Sequence, residues 1–263
     1  MKHRYSSAAF TLIELLTVIA IIAILAAMIF PVLSAAQTHA KKVQTKLEAS
    51  NIANAIQEYE SDYTRFPVST AVQSSGNEEF TYGATFQGPN GPQAIGTVIN
   101  GNILTNSDVI AILLDYTNFP NSYSGGGWTC NTNHMKNPKR SMYLSNTKFS
   151  NWDPGQGGQP LGGIGDDLVY RDPFGNPYVI SMDLDEDNFT SDYMYGSATV
   201  SSTQPSSPGA PGLNGLNWHV DNGVGSYCYH GNVMVWSAGP DGKVDTNSPA
   251  NSGPNKDNVV SWQ

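Results

Sequence analysis

Cysteine is nearly missing from this chain: Cys130 and Cys228 are the only two in 263 residues. Neither sits in a Cys-x-x-Cys or Cys/His spacing, which excludes the usual zinc frameworks. Basic side chains are scarce as well, 13 Lys and Arg against 22 Asp and Glu, for a net charge of −9. A phosphate-binding face needs basic residues gathered on one side, so a nucleic-acid partner is disfavoured. Catalytic signatures are also lacking. There is no Gly-x-Ser-x-Gly elbow, His-Glu-x-x-His or phosphate loop, and the five histidines (His3, His39, His134, His219, His230) have no partner motif. His219 with Asp221, or His230, could orient a nucleophile, but nothing in the sequence supplies one. The chain reads as a non-enzyme. Charged residues make up only 13%, whereas Gly (26), Pro (16), Asn and Ser are plentiful. That composition describes short strands joined by many turns, as in exported β-rich domains.

One long apolar run stands against this polar background. From Phe10 to Leu33 the single charge is Glu14. A helix of that length, at about 1.5 Å per residue, covers the roughly 30 Å hydrocarbon core of a bilayer. A secretory signal peptide, cut near Ser34–Ala36, is the competing reading. Its apolar region runs about 7–15 residues and holds no acid. A carboxylate inside an apolar helix is expensive and usually has a charged partner. The nearest candidate is the amine released by cutting the chain just before Phe10.

Phe10-Thr11-Leu12-Ile13-Glu14-Leu15 resembles the cleavage and methylation motif of type IV pilins and type II secretion pseudopilins. The resemblance implies that a prepilin peptidase cuts between Ala9 and Phe10 on the cytoplasmic face and methylates the new N-terminus. It also implies that Glu14, fifth in the mature chain, pairs with a neighbouring subunit's N-terminus in a filament. Pro31 falls where these proteins carry a helix-kinking proline. Ala9 stands where the family usually has Gly, and slower processing is expected from it. Removal of residues 1–9, which hold Lys2 and Arg4 and no acid, leaves 11 basic against 22 acidic residues, or −11. Basic residues flank the run on both sides, with Lys41, Lys42 and Lys46 beyond it, so charge alone does not orient it. The processing motif does, and it places the remainder outside the cytoplasm. In an oxidising compartment Cys130 and Cys228 either form the one bridge open to them, closing a loop of roughly 100 residues, or remain two buried thiols.

Beyond Pro31 the helical pattern runs to about Tyr63, with Ala36, Ala40, Val43, Leu47, Ile52, Ile56, Tyr59 and Tyr63 as its apolar stripe. Arg65-Phe66-Pro67 ends it, because a residue before proline is pushed out of the helical region. Residues 68–165 are the least informative part. They offer a short helix after Ser107, a candidate strand at Met142–Leu144 and several Gly-rich loops, and they read as an insertion elaborating the head. Leu168–Tyr170 and Tyr178–Met182 read as a hairpin around Asp172-Pro173-Phe174-Gly175-Asn176-Pro177. That turn is similar to an Asp-Pro-Trp-Gly-Asn-Pro-Tyr signature of major pseudopilins, with Phe174 in place of Trp. Residues 201–217 read as an exposed Pro/Ser/Gly loop, and Gly231–Ser237 as a further strand.

The segment from Gly239 to Asn258 resembles the calcium loop of the same proteins, which implies Ca2+ held by Asp241, Asp245 and Asp257. Calcium needs six to eight oxygen ligands. The plain alternative is a solvated acidic loop. Asp183-x-Asp185-x-Asp187 opens like an EF-hand loop, but Asn188 stands where glycine is expected and Met194 where the twelfth-position acid belongs.

The expectation is therefore an α+β, pilin-like chain: leader 1–9, membrane and filament-core helix 10–33, amphipathic helix 34–65, and an exported head 66–263 divided into an insertion (68–165) and a β-region (166–263). The head would carry a small antiparallel sheet and loop-rich insertions. The implied function is a structural subunit of a type II secretion pseudopilus or related filament. Its partners would be further copies of itself, other pseudopilins, the prepilin peptidase and an inner-membrane assembly platform. It would cross the inner membrane once with its head on the periplasmic side. The rival is a membrane-tethered extracytoplasmic module that binds carbohydrate or another surface ligand.

Overall fold

The computed structural model describes residues 11–120, 123, 126–150, 152–203, 207–221 and 223–263, in two compact units that divide between Lys41 and Lys42. One helix, α1 (Leu12–Tyr63), runs through both. Its 52 residues contain no glycine and one proline, Pro31, so little in the sequence interrupts it. It ends where Thr64 turns into the left-handed region (φ 50°) and donates its N–H to the Glu60 carbonyl at 2.7 Å.

The two stretches of α1 bury different amounts. From Leu12 to Leu33 large apolar side chains stand exposed around the whole circumference, and its most apolar 18-residue window has no buried residue. That stretch is long and apolar enough to cross a membrane. In the second unit Thr45, Ala49, Ile52, Ala55, Ile56 and Tyr59 turn inward. Val43 and Leu47, expected in the inward stripe, are exposed. The spacing explains the difference: 45, 49, 52, 56 and 59 advance by steps of four and three, whereas Leu47 to Ile52 is a step of five that leaves the face.

The head adds, in chain order, α2 (Thr70–Gln73), β1 (Glu79–Tyr82), β2 (Ala84–Gly88), β3 (Gly91–Ile95), β4 (Val98–Ile99), β5 (Asn102–Ile103) and α3 (Ser107–Leu113). After them come β6 (Gly163–Ile164), β7 (Tyr170–Arg171), β8 (Val179–Asp183), β9 (Phe189–Ser191), α4 (Ala198–Ser201), β10 (Asn217–Asp221), β11 (Val224–His230), β12 (Val233–Ser237) and β13 (Val259–Val260). The main sheet is antiparallel, in the order β1-β8-β12-β13, and a second sheet has the order β10-β11-β9. Alternation along the central strands feeds two cores. Ile180, Met182, Val233 and Val235 face a cluster with the α1 stripe and α3, while Val179, Met234 and Trp236 face Phe86, Tyr195, Val200 and Tyr227.

Residues 68–165, set apart as an insertion in the sequence, supply β1 to the main sheet and the apolar face of α3 to the first core. Met142–Leu144 forms no strand; Tyr143 N–H donates to the Leu113 carbonyl at 2.9 Å. Asn106, just before α3, is fully buried. Its Nδ2 donates to the carbonyls of Tyr170 (2.9 Å) and Tyr178 (2.8 Å), and its Oδ1 accepts from Tyr170 N–H (2.9 Å). The helix is thereby tied to the hairpin it packs on.

Candidate functional site

The start of α1 is closed by its own residues. Thr11 donates its N–H and its hydroxyl to Glu14 Oε2, both at 2.8 Å, and Glu14 N–H returns to Thr11 Oγ1 at 3.3 Å. This is a capping box, Thr-x-x-Glu, which satisfies donors the helix would otherwise leave bare. Glu14 thus has partners within its own chain, a role the sequence pattern permitted and the reading of the motif passed over. Ala9, Phe10 and the leader lie outside the described residues. The backbone of α1 stays helical through Pro31.

At the other end of the chain the Asp172–Pro177 turn and the Gly239–Gly242 turn form one unit. Buried Asp172 accepts the N–H groups of Phe174 (2.9 Å) and Asn176 (2.8 Å) at Oδ1, and the Ser237 hydroxyl at Oδ2. Burial raises its pKa. Asn176 Nδ2 donates onward to the Gly239 carbonyl at 2.7 Å. Gly239 (φ 68°) has no room for a side chain: a Cβ there would lie 2.2 Å from the Asp257 carbonyl oxygen.

The three aspartates expected to hold calcium are not equivalent. Asp245 accepts from Ser248 Oγ at 2.6 Å and Asn247 N–H at 3.0 Å, which holds its pKa below the usual range. Asn255 clamps the same turn, accepting Asp245 N–H and donating to the Asp245 and Ser248 carbonyls. Asp257 is different. Its Oδ1 is buried without a hydrogen-bond partner, and burial, then the charge of Asp241, raises its pKa. Asp257 thus keeps an oxygen without a partner, whereas Asp241 accepts the Lys243 N–H at 2.9 Å and Asp245 serves its own turn.

A second acidic region surrounds a cleft of about 370 Å³ beside the β1–β8 edge. Two groups of carboxylates bring oxygens within 4.8 Å of one another: Glu78, Asp185 and Asp221, and Glu79, Asp183 and Asp187. The Asp183–Asp187 motif does not fold as an EF-hand. Asp183 caps the following turn, accepting the N–H groups of Glu186 and Asn188 at 2.8 Å each. His219 stacks on Phe189 with ring centroids 4.0 Å apart, and its Nε2 lies 3.9 Å from Asp187. The sequence pointed to Asp183, Asp185 and Asp187; the part played by Glu78, Glu79 and Asp221 depends on strand pairing that no short motif encodes.

The structure leaves Cys130 and Cys228 as free thiols, in place of the bridge that export allows. Cys130 packs beside α3 and donates to the Asp108 carbonyl at 3.5 Å, while Cys228 sits on β11 with Ser226 Oγ at 3.1 Å. They belong to different parts of the head, and burial raises both pKa values, that of Cys228 to about 11.

No curated protein and no solved structure matches this chain. Residues 4–30 match the family described as the prokaryotic N-terminal methylation motif. This segment covers the Phe10–Leu15 hexapeptide and nearly all of the apolar run, ahead of a head of small antiparallel sheets. The N-terminal segment thus carries a prepilin-type signal, the kind found in type IV pilins and pseudopilins, and among the described residues α1 is the one helix long and apolar enough to cross a membrane.

Proposed function

We propose that this chain is a structural subunit of a type II secretion pseudopilus or a related type IV filament. The observation that carries the reading is a stem whose apolar surface is exposed all round, with one acid, Glu14, the fifth residue past the motif's cleavage point. Such a surface needs lipid before assembly and other stems after it. Prepilin peptidase would cut between Ala9 and Phe10 and methylate Phe10. The subunit would then wait in the inner membrane, head on the periplasmic side, until the assembly platform adds it to other copies and to related pseudopilins.

Glu14 would exchange partners at that step. In the single chain Thr11 satisfies its carboxylate; in the filament the N-terminal amine of a neighbour would take that place. A charge-assisted pair out of water is worth more than the hydrogen bonds of a cap, so the exchange favours assembly and fixes the axial register. Glu14→Ala tests this. The variant inserts into membranes, because removing a charge eases insertion, yet forms no filament when co-expressed with the assembly machinery. Normal filaments from Glu14→Ala would exclude the pairing.

A further inference from the structure

Glu79 opens β1 and stands directly opposite Asp183, the last residue of β8, in the antiparallel ladder. Like charges directly opposite across a ladder destabilise it. Oxygens of Glu79, Asp183 and Asp187 lie within 4.8 Å of one another. Both Asp183 oxygens already accept backbone N–H groups, which suits the ionised form. Glu79 differs: its Oε2 is completely buried and has no hydrogen-bond partner. Four further carboxyls, a histidine and a thiol are titratable groups around it. They are Glu78 before the strand, Asp185 and Asp187 in the turn, His219 and Asp221 on β10, and the Cys228 thiol on β11. Among the described residues the cleft is lined by no lysine or arginine.

We propose that the Glu79–Asp183 pair is a proton-operated latch that holds the edge strand β1 to β8 while Glu79 is a neutral acid and loosens it when both carboxyls are ionised. As an acid, Glu79 no longer sets a second charge opposite Asp183 and near Asp187, and its buried Oε2 no longer carries a share of an unsolvated charge. Burial, reinforced by the charges of Asp183, Asp185 and Asp187, raises the Glu79 pKa from 4.5 to about 9. Burial and the neighbouring Asp185 raise that of Asp183 to about 7. The folded chain thus keeps a proton that an unfolded glutamate has already released. The folded state binds the extra proton across the window from 4.5 to about 9, so stability falls as the pH rises through it. An alkaline medium loosens the head at this edge, and an acidic one closes it.

Thermal unfolding of the full chain in detergent, followed from about pH 6 to about pH 9.5 by tryptophan fluorescence, tests the latch. The wild-type midpoint falls across this range, and Glu79→Gln, which mimics the neutral acid, removes most of the fall. Should that variant fold poorly, Asp187→Asn keeps the latch but weakens the field on Glu79, and the fall is complete at lower pH. In the infrared the wild type shows a buried carboxylic-acid C=O band at neutral pH that vanishes by about pH 10. A flat wild-type profile, or no such band, overturns the proposal. So does a calcium-dependent rise in midpoint that Glu79→Gln abolishes and Asp257→Ala retains, because a metal ion would then be doing the proton's work.

Discussion

At the scale of single residues, the head depends on buried polar side chains that serve partners far along the chain. Asn106 is the clearest. It satisfies the carbonyls of Tyr170 and Tyr178 and one N–H, 64 and 72 residues away, and is wholly buried. Alanine there leaves the Tyr178 carbonyl and the Tyr170 N–H facing a void, while the Tyr170 carbonyl keeps the Tyr178 N–H. Each buried unsatisfied group costs about 1–3 kcal/mol, so Asn106→Ala should lose at least about 2 kcal/mol in urea unfolding of the full chain. A loss below about 0.5 kcal/mol, as at an ordinary surface position, would show that the tie contributes little. Nothing in the sequence marks this asparagine among the many others, because its partners are brought to it by the fold. Asp172 was more visible. The Asp-Pro-Phe-Gly-Asn-Pro string announces a turn, though not that its carboxylate binds Ser237 and that its Asn176 reaches Gly239.

Among the elements, α1 was the most legible, because its apolar run, missing glycines and closing proline all act locally. On the inward face of its second half Ile52, Ile56 and Tyr59 fall where the periodicity puts them, whereas Val43 and Leu47, as apolar as the residues that are buried, do not. The strands β8 and β12 could be read from their unbroken apolar runs. Strand β1, beginning with Glu79 in a polar stretch, could not, and with it went the acidic pair it makes with Asp183. The C-terminal loop between β12 and β13 carries a prediction of its own. The orphaned Oδ1 of Asp257, with Asp241 beside it, would be relieved by a divalent cation. Millimolar calcium should therefore raise the unfolding midpoint of the full chain in detergent. Binding to the native state alone contributes about 2.7 kcal/mol at a hundredfold excess over Kd. Asp257→Ala should lose the increment, and Asp245→Ala should keep much of it, because that carboxylate is engaged by Ser248 and Asn247. An unchanged wild-type midpoint would mean that the loop closes without metal.

For the whole molecule, the sequence divides its labour by solvent. None of the described side chains of residues 12–33 is buried, which suits lipid or other stems, while the second unit builds two cores on either side of one sheet. The membrane helix and the signal at residues 4–30 were readable because hydropathy and processing act on contiguous residues. The head was readable only in fragments, since its sheet joins β1 to a strand about 100 positions later. The reading of the chain as a filament subunit rests on one event above all, cleavage before Phe10. Intact-mass and N-terminal peptide mass spectrometry of the protein from native membranes tests it most directly. The expected mature chain begins at N-methylated Phe10, with residues 1–9 gone. A chain that keeps its leader, or one that starts near Ala36, would contradict it.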